Sequence, residues 1–313
     1  VPGRQAAGGL AAWARARGVP LRIEDAGSEP AQTAHLYRAL AGTVDLLFGP
    51  YGSGPMQAVA EALAGRDDVV VNHGGAVPPE TGARVVSVIG PADRYWAGLA
   101  DVLASEGVPL DGVAVLHAAS GFGRATASGA VASLAAAGAR PIAIEAFDEV
   151  SAAVTAARVL RRGPSAVVGC GRIEDDLALG RALAGTRVAV GLVVCGVSLA
   201  VEALGDAVEG WLGPAQWWPD GPPPPIALPP GADYPAAQAL AAGLVAEEIV
   251  AAAGSTEPDA LWDAARRLRT QTFLGPFAVD AAGRQVAQAP HLVRWVRRGT
   301  TLVRERCWSP VVA

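Results

Sequence analysis

Ser53 sits in the segment Asp45-Leu46-Leu47-Phe48-Gly49-Pro50-Tyr51-Gly52-Ser53-Gly54, an apolar run that ends on glycines and enters an alanine-rich stretch at 55–64. A strand that turns through Gly-Pro into a helix start presents backbone N–H groups without helical partners and the positive end of the helix dipole. A serine hydroxyl there adds one more donor. The chemistry this allows is capture of a carboxylate or other anion by Ser53, with Tyr51 and Gly52 beside it. Glycine and a small polar cap also occur at strand-to-helix turns for backbone reasons alone, so both roles stand for the segment.

Other chemistry is excluded by what the chain lacks. All 25 basic residues are Arg, which removes Schiff-base lysines and the phosphate loop with its obligatory lysine. Tyr51 and Pro55 occupy the positions where a nucleophile elbow around Ser53 requires glycine. Gly52-Ser53-Gly54 and Gly121-Phe122-Gly123 each lack the third glycine of a dinucleotide turn. His35, His73, His117 and His291 stand in no triad context, and the three cysteines, Cys170, Cys195 and Cys307, have no zinc spacing. No enzymatic role, no cofactor and no metal are expected. Cys170 and Cys195 close two apolar runs and are expected as buried thiols, with a bridge between them as the lesser alternative. The net charge of −5 is spread along the chain without a basic stripe, so nucleic acid is not an expected partner.

The elements that position these residues follow from periodicity. A length of 313 residues at 51% hydrophobic content suffices for two cores. The first series is a helix at 3–17, a strand at 20–23, a helix at 30–40, a strand at 44–48, a helix at 55–64, and strands at 69–71 and 85–89. The same grammar restarts with strands at 113–117, 143–146, 166–170 and 190–195, alternating with helices at 122–137, 150–161 and 175–184. Alternation without hairpin signals specifies parallel sheets covered by helices on both faces. A strand at 211–217, a proline-rich crossover at 219–230 and helices at 235–253 and 258–268 follow, and the segment 273–280 returns to the first lobe. A hairpin of 292–296 with 301–304 adds to the edge of the second.

The expected fold class is therefore α/β, with two Rossmann-like lobes joined by a three-stranded hinge. The lobes comprise 1–91 with 221–285 and 92–220 with 286–313, and the ligand cleft lies between them. Because the sequence opens on a helix where an α/β unit opens on a strand, the first strand and any export signal are expected to lie outside it. No apolar stretch is expected to reach the roughly 20 residues of a membrane span.

Several motifs, in order along nearly the whole chain, resemble the type I periplasmic binding proteins, the leucine/isoleucine/valine and amide receptors of ABC importers. They are Glu24-Asp25 with Ser28-Glu29-Pro30, Gly49-Pro50 to Ser53, the run Val71 to Pro78, and Gly121-Phe122-Gly123 with Gly138. Later come Asp206-Ala207-Val208-Glu209-Gly210, and Phe273-Leu274-Gly275-Pro276-Phe277 with Asp280 and Gly283. The resemblance implies an extracytoplasmic receptor, periplasmic or attached at the cell surface through an N-terminal lipid or signal segment. Such a receptor closes over a small molecule and delivers it to an ABC transporter permease.

By the same resemblance Ser53 bonds a ligand carboxylate or amide, and the backbone of Gly74, Gly75 and Ala76 supplies further bonds. Phe122 packs on the ligand from the second lobe. The place of a common second-lobe tyrosine falls at Gly171 or Arg172, and an acid that pairs with an α-ammonium is replaced by Gly196, Val197 and Ser198. A buried ammonium without an anion costs several kcal/mol, which disfavours a leucine-type amino acid unless Glu174 or Asp175 substitutes. Arg172 is either a cation at the cleft or a solvated helix-start residue. Tyr51, Phe122 and Trp217 favour an aromatic or extended apolar solute, while Trp218 is expected to cover a surface. A sensory ligand-binding domain of the same fold is the alternative function, with an α/β enzyme behind it.

Overall fold

The computed structural model describes residues 2–79 and 81–310 and divides the chain into two compact units. The first runs to Pro91 and resumes over Pro219–Gln288; the second is Ala92–Trp218 with the segment from Ala289. Residues 311–313, expected in the second lobe, lie outside the described residues.

Unit 1 is built on a parallel sheet of β1 (Leu47–Phe48), β2 (Val69–Asn72) and β3 (Arg84–Ser87), in that order. Successive strand residues point to opposite faces, and the two residues of β1 divide accordingly. Leu47 joins Met56 and Val59 of α3 (Ser53–Ala62) and Leu63, which follows that helix, with Tyr37 and Leu40 of α2 (Pro30–Leu40) packed against them. Phe48 packs against the cluster of Leu10 and Trp13 from α1 (Pro2–Arg17) with Ala239 and Leu240 from α9 (Tyr234–Ala253).

Helices α1 and α9 approach closely because glycines face the contact. A Cβ on Gly9 would lie 2.1 Å from the Ala236 carbonyl oxygen, and one on Gly243 would lie 2.5 Å from the Trp13 ring. Gly9→Ala is expected to lower the stability of unit 1 by about 1–3 kcal/mol through overpacking, measured by urea denaturation; an unchanged midpoint would refute the close contact. Helix α9 meets the length and composition of a membrane span, contrary to the expectation that none would. Its apolar surface is turned into unit 1, where Ala237, Leu240, Val245 and Ile249 are fully buried.

One expectation for unit 1 fails. Residues 20–23 form no strand, and Ile23 is 53% exposed. In a doubly wound sheet the strand after the first helix pairs with the strand before that helix, and among the described residues none supplies that partner. The segment 273–280 lies in unit 1, where β9 (Arg269–Thr272) and β10 (Gly275–Ala278) pair antiparallel across Phe273-Leu274, with Thr272 opposite Gly275. Helix α10 (Pro258–Arg267) precedes it.

Unit 2 carries a seven-stranded sheet in the order β12-β11-β8-β7-β6-β4-β5. Its parallel part is β4 (Val113–Ala118), β5 (Ala143–Phe147), β6 (Ala166–Cys170), β7 (Ala189–Leu192) and β8 (Leu212–Ala215). The hairpin β11 (His291–Arg298) and β12 (Thr301–Trp308) closes the edge beside β8, as the apolar alternation predicts. The covering helices are α5 (Gly121–Ala136), α6 (Ala152–Leu160) and α7 (Ile173–Leu183); α4 (Leu99–Ser105) was not foreseen, and α8 (Leu199–Leu204) follows β7. Central strands buried on both faces read as continuous apolar runs, and Val113, Ala114, Val115 and Leu116 are each 0% exposed.

Strand β7 stops three residues short of its expected end, and Val193–Gly196 turns as a 3-10 helix. A Cβ on Gly196 would lie 2.0 Å from the Pro214 carbonyl oxygen, so the backbones of this segment and β8 nearly touch. Trp218, expected on a surface, is buried with Ala215 and Val293 and meets the His291 ring edge-on at 5.4 Å. Cys170 and Cys195 are both buried and free, so the alternative of a bridge is not realised.

Candidate functional site

In unit 1 the Gly49–Ser53 turn is held against the end of β2. The Gly49 amide donates to Val71 O at 2.9 Å and the Gly52 amide to Gly74 O at 3.0 Å. Gly52 has φ +106°, which a side chain would strain. Gly74 is required by proximity, since a Cβ there would lie 2.6 Å from Pro50 O.

Asn72, fully buried, organises the second turn. Its Oδ1 accepts from the Gly74 amide at 3.1 Å and the Gly75 amide at 2.8 Å, while Nδ2 donates to Gly75 O at 2.7 Å and Ser87 Oγ at 3.2 Å. Both of these backbone amides are therefore engaged by Asn72. Ala76 is buried, and the next amide, that of Val77, donates to Ser53 Oγ at 3.2 Å. Ser53 therefore receives one hydrogen bond from the protein and keeps its own proton to donate, the polarity an oxygen acceptor requires.

His73 is 3% exposed beside this turn, and burial pulls its pKa down to about 4, so the imidazole is neutral at pH 7. Tyr51 packs against the α1/α9 cluster, with its hydroxyl 3.2 Å from that of Tyr234.

In unit 2 the strand order reverses at β4, which has β5 on one side and β6 on the other. Ligands of open α/β sheets gather outside the carboxyl ends of strands at such a switch point. Here β4 leads into Ser120, whose hydroxyl caps α5 by accepting from the Gly123 amide at 3.0 Å. A Cβ on Gly123 would lie 2.4 Å from Ala118 O and 2.8 Å from Cys170 O, so the helix start rests on both strand ends. Phe122 is half-buried, its ring 5.7 Å from Tyr95 and edge-on to it. The Tyr95 hydroxyl accepts from Gln216 Nε2 at 3.3 Å.

Beyond β6, Gly171 is buried, and a Cβ there would lie 2.5 Å from Asp176 Oδ1. Arg172 starts α7 with its guanidinium on buried Asp175, Nε to Oδ2 2.8 Å, and its side chain is 65% exposed. Its charge is thus already met by a carboxylate. Asp176 is fully buried: Oδ2 accepts from the Val194 amide at 3.0 Å, and Oδ1 has no hydrogen-bond partner although the Gly171 amide lies near. Burial pushes its pKa up to about 7, partly offset by the neighbouring amides. Val197 and Trp217 are buried, at 6% and 5% exposure.

The sequence argument missed Asn72, Tyr95, Asp176 and Gln216. Asn72 alone carried a signal, as the polar residue closing an apolar strand before a glycine pair. Among the described residues no group of three His, Cys, Asp or Glu side chains is placed to hold a metal.

Two α/β units with glycine-built turns at the carboxyl ends of parallel strands define the class. The chain belongs to the periplasmic binding protein family, whose model matches residues 4–300. The fold is similar to that of the leucine binding protein LivK of Thermotoga maritima, with TM-score 0.84, 18% identity, and coverage of 99% of this chain and 95% of that one. It is also similar to an ABC transporter solute binding protein of R. palustris in complex with 4-hydroxybenzoate, with TM-score 0.86, 16% identity and coverage of 99% and 93%. A second R. palustris solute binding protein, in complex with benzoate, gives TM-score 0.77, 17% identity and coverage of 100% and 93%. No curated protein sequence matches significantly.

Proposed function

We propose that this protein is the solute-binding component of an ABC importer, working outside the cytoplasmic membrane and presenting a small carboxylate- or amide-bearing ligand to a permease. Membership of the periplasmic binding protein family supports the binding role over a catalytic one. The observation that carries the ligand class is Ser53, whose oxygen accepts from the Val77 amide and whose proton is left for a ligand oxygen. Within unit 1 the proposed ligand contacts are Ser53 with Tyr51, Gly52 and Ala76 around it, and within unit 2 the candidate contacts are Phe122, Gly171, Arg172, Val197 and Trp217. Gly74 and Gly75 act through their close packing rather than through their amides. The liganded state is the one the permease reads. The half-buried ring of Phe122 against Tyr95 suits an aromatic body as well as a branched aliphatic one.

Thermal shift and calorimetry with benzoate, 4-hydroxybenzoate, their amides and leucine test this reading, because a ligand of the native state raises stability. The expected outcome is saturable binding of at least one compound, recovered unchanged, with affinity about tenfold weaker in Ser53→Ala, the worth of one hydrogen bond. Recovery of a transformed compound would favour an enzyme instead.

A further inference from the structure

A surface cavity of unit 1 shares no residue with the Ser53 turn. Its volume is about 260 Å³, and it is lined by Asp263, Arg266 and Arg267 of α10, by Arg269 and by residues 279–281. The β9/β10 hairpin brings these together. Arg269, the first residue of β9, lies opposite Ala278, the last of β10, so the strand that begins with an arginine starts beside 279–281. Arg266 and Arg267 arrive from the last turn of the helix just before it.

Basic residues at a helix C-terminus have a structural reason of their own, since they offset the negative end of the dipole. Here Arg269 takes that task, its Nη1 donating to Arg266 O at 3.0 Å and to Leu268 O at 2.8 Å. Nor do the aspartates consume the remaining charge. Asp263 accepts from Arg266 Nη2, and that hydrogen bond, with the charges of Arg266, Arg267 and Arg84 adding to it, holds its carboxyl below the usual range. Arg84 is itself paired with Asp67 and Asp259. Asp280 is committed to its own turn, Oδ1 accepting from the Ala282 amide at 2.9 Å and the Arg284 amide at 3.0 Å. Among the described residues Arg267 and Arg269 have no carboxylate within ion-pair distance, and Arg266 Nε is buried without an acceptor on the protein. The Arg266 guanidinium is held in place over the Trp262 ring, 5.5 Å from its centroid. A buried guanidinium donor without a partner is costly, and an anionic oxygen is the partner that suits it.

We propose that this cavity is a second binding site, for an oxyanion of phosphate type, held by Arg266, Arg267 and Arg269. Guanidinium forks match phosphate oxygens two at a time, and three forks exceed what the two oxygens of a single carboxylate accept. The cavity is smaller than the roughly 300–1,000 Å³ of small-molecule pockets, so it suits the phosphate group alone. Such a group comes either as free phosphate or as the headgroup of an anionic lipid. The site does not depend on the solute-binding reading above.

Calorimetric titration of the full chain with inorganic phosphate, against sodium chloride at equal ionic strength, tests the free anion. Sedimentation with vesicles of phosphatidylcholine, with and without phosphatidylglycerol, tests the headgroup. Both are run on the wild type, on Arg267→Gln and Arg267→Lys, and on Arg38→Gln, which removes an exposed arginine of α2 outside the cavity. The expected result is saturable binding in at least one arm, about tenfold weaker in Arg267→Gln, intermediate in Arg267→Lys and unchanged in Arg38→Gln. The arm that shows this pattern identifies the source. Arg267 is exposed, so its variants should keep the wild-type melting temperature, which is measured alongside. No binding in either arm, or binding in which Arg267→Gln behaves as Arg38→Gln does, overturns the site and leaves the solute-binding reading untouched.

Discussion

Replacing Asn72 by alanine is expected to destabilise unit 1 by about 3–5 kcal/mol and to abolish measurable ligand binding. The fully buried side chain satisfies the Gly74 and Gly75 amides and Gly75 O. Alanine would leave the buried Gly75 donor and acceptor and the half-buried Gly74 donor without protein partners, each costing roughly 1–3 kcal/mol, with some relief by relaxation of the turn. The turn also carries Val77, whose amide orients Ser53, so affinity should fall with stability. Asn72→Asp separates the contributions. It keeps an acceptor for the two amides but places a carboxylate oxygen against Gly75 O, so it should be less stable at pH 8 than at pH 5, where the group is protonated. Urea denaturation with calorimetric binding checks both variants. A loss below about 1 kcal/mol for Asn72→Ala would mean that the turn holds itself.

The second large effect is on the dependence of stability on pH. Asp176 has its pKa raised from 3.8 to about 7 in the folded protein. Between those values the native state keeps a proton that the unfolded chain releases, so this group's contribution to stability falls as pH rises from about 4 to about 7 and stays low above that. Asp176→Asn removes the buried charge while keeping an oxygen for the Val194 amide. The variant should therefore be more stable than the wild type by about 2–4 kcal/mol at pH 8 and nearly equal to it at pH 4.

His73 acts with the opposite sign in unit 1. Its pKa, lowered from 6.5 to about 4, means that the unfolded chain takes up a proton the native state refuses, so stability is lost as pH falls through that window. His291 on unit 2 is shifted the same way by burial, to about 4, but it is only partly buried and weighs less. Differential scanning calorimetry from pH 4 to pH 8 reads these slopes directly. An Asp176→Asn profile parallel to that of the wild type would refute the raised pKa.

Much of the architecture was legible because it depends on local periodicity. Helix 30–40 coincides with α2 (Pro30–Leu40), strand 166–170 with β6 (Ala166–Cys170), and the hairpin at the C-terminus with β11 and β12. These elements carry their own caps, apolar stripes and turn residues. Segment 20–23 was misjudged because a strand is a property of a pair, and its apolar residues found no neighbouring strand among the described residues. Residues 193–195 looked like a continued strand because they are apolar. Their backbone is claimed instead by Asp176 and Trp295, side chains 18 and 100 residues away.

The sequence alone determined where the chain must turn tightly and that these residues supply no lysine chemistry. Glycines at 49, 52, 74 and 75, the serine at 53 and the absence of lysine are statements about residue type, and residue type acts locally. Only the tertiary structure decided which polar groups are left for a ligand. That Gly74 and Gly75 spend their amides on Asn72 and that Ser53 keeps its proton are outcomes of approach between distant segments. A buried donor or acceptor must find a partner wherever the fold brings one within reach, and the order of residues along the chain does not disclose which partner that will be.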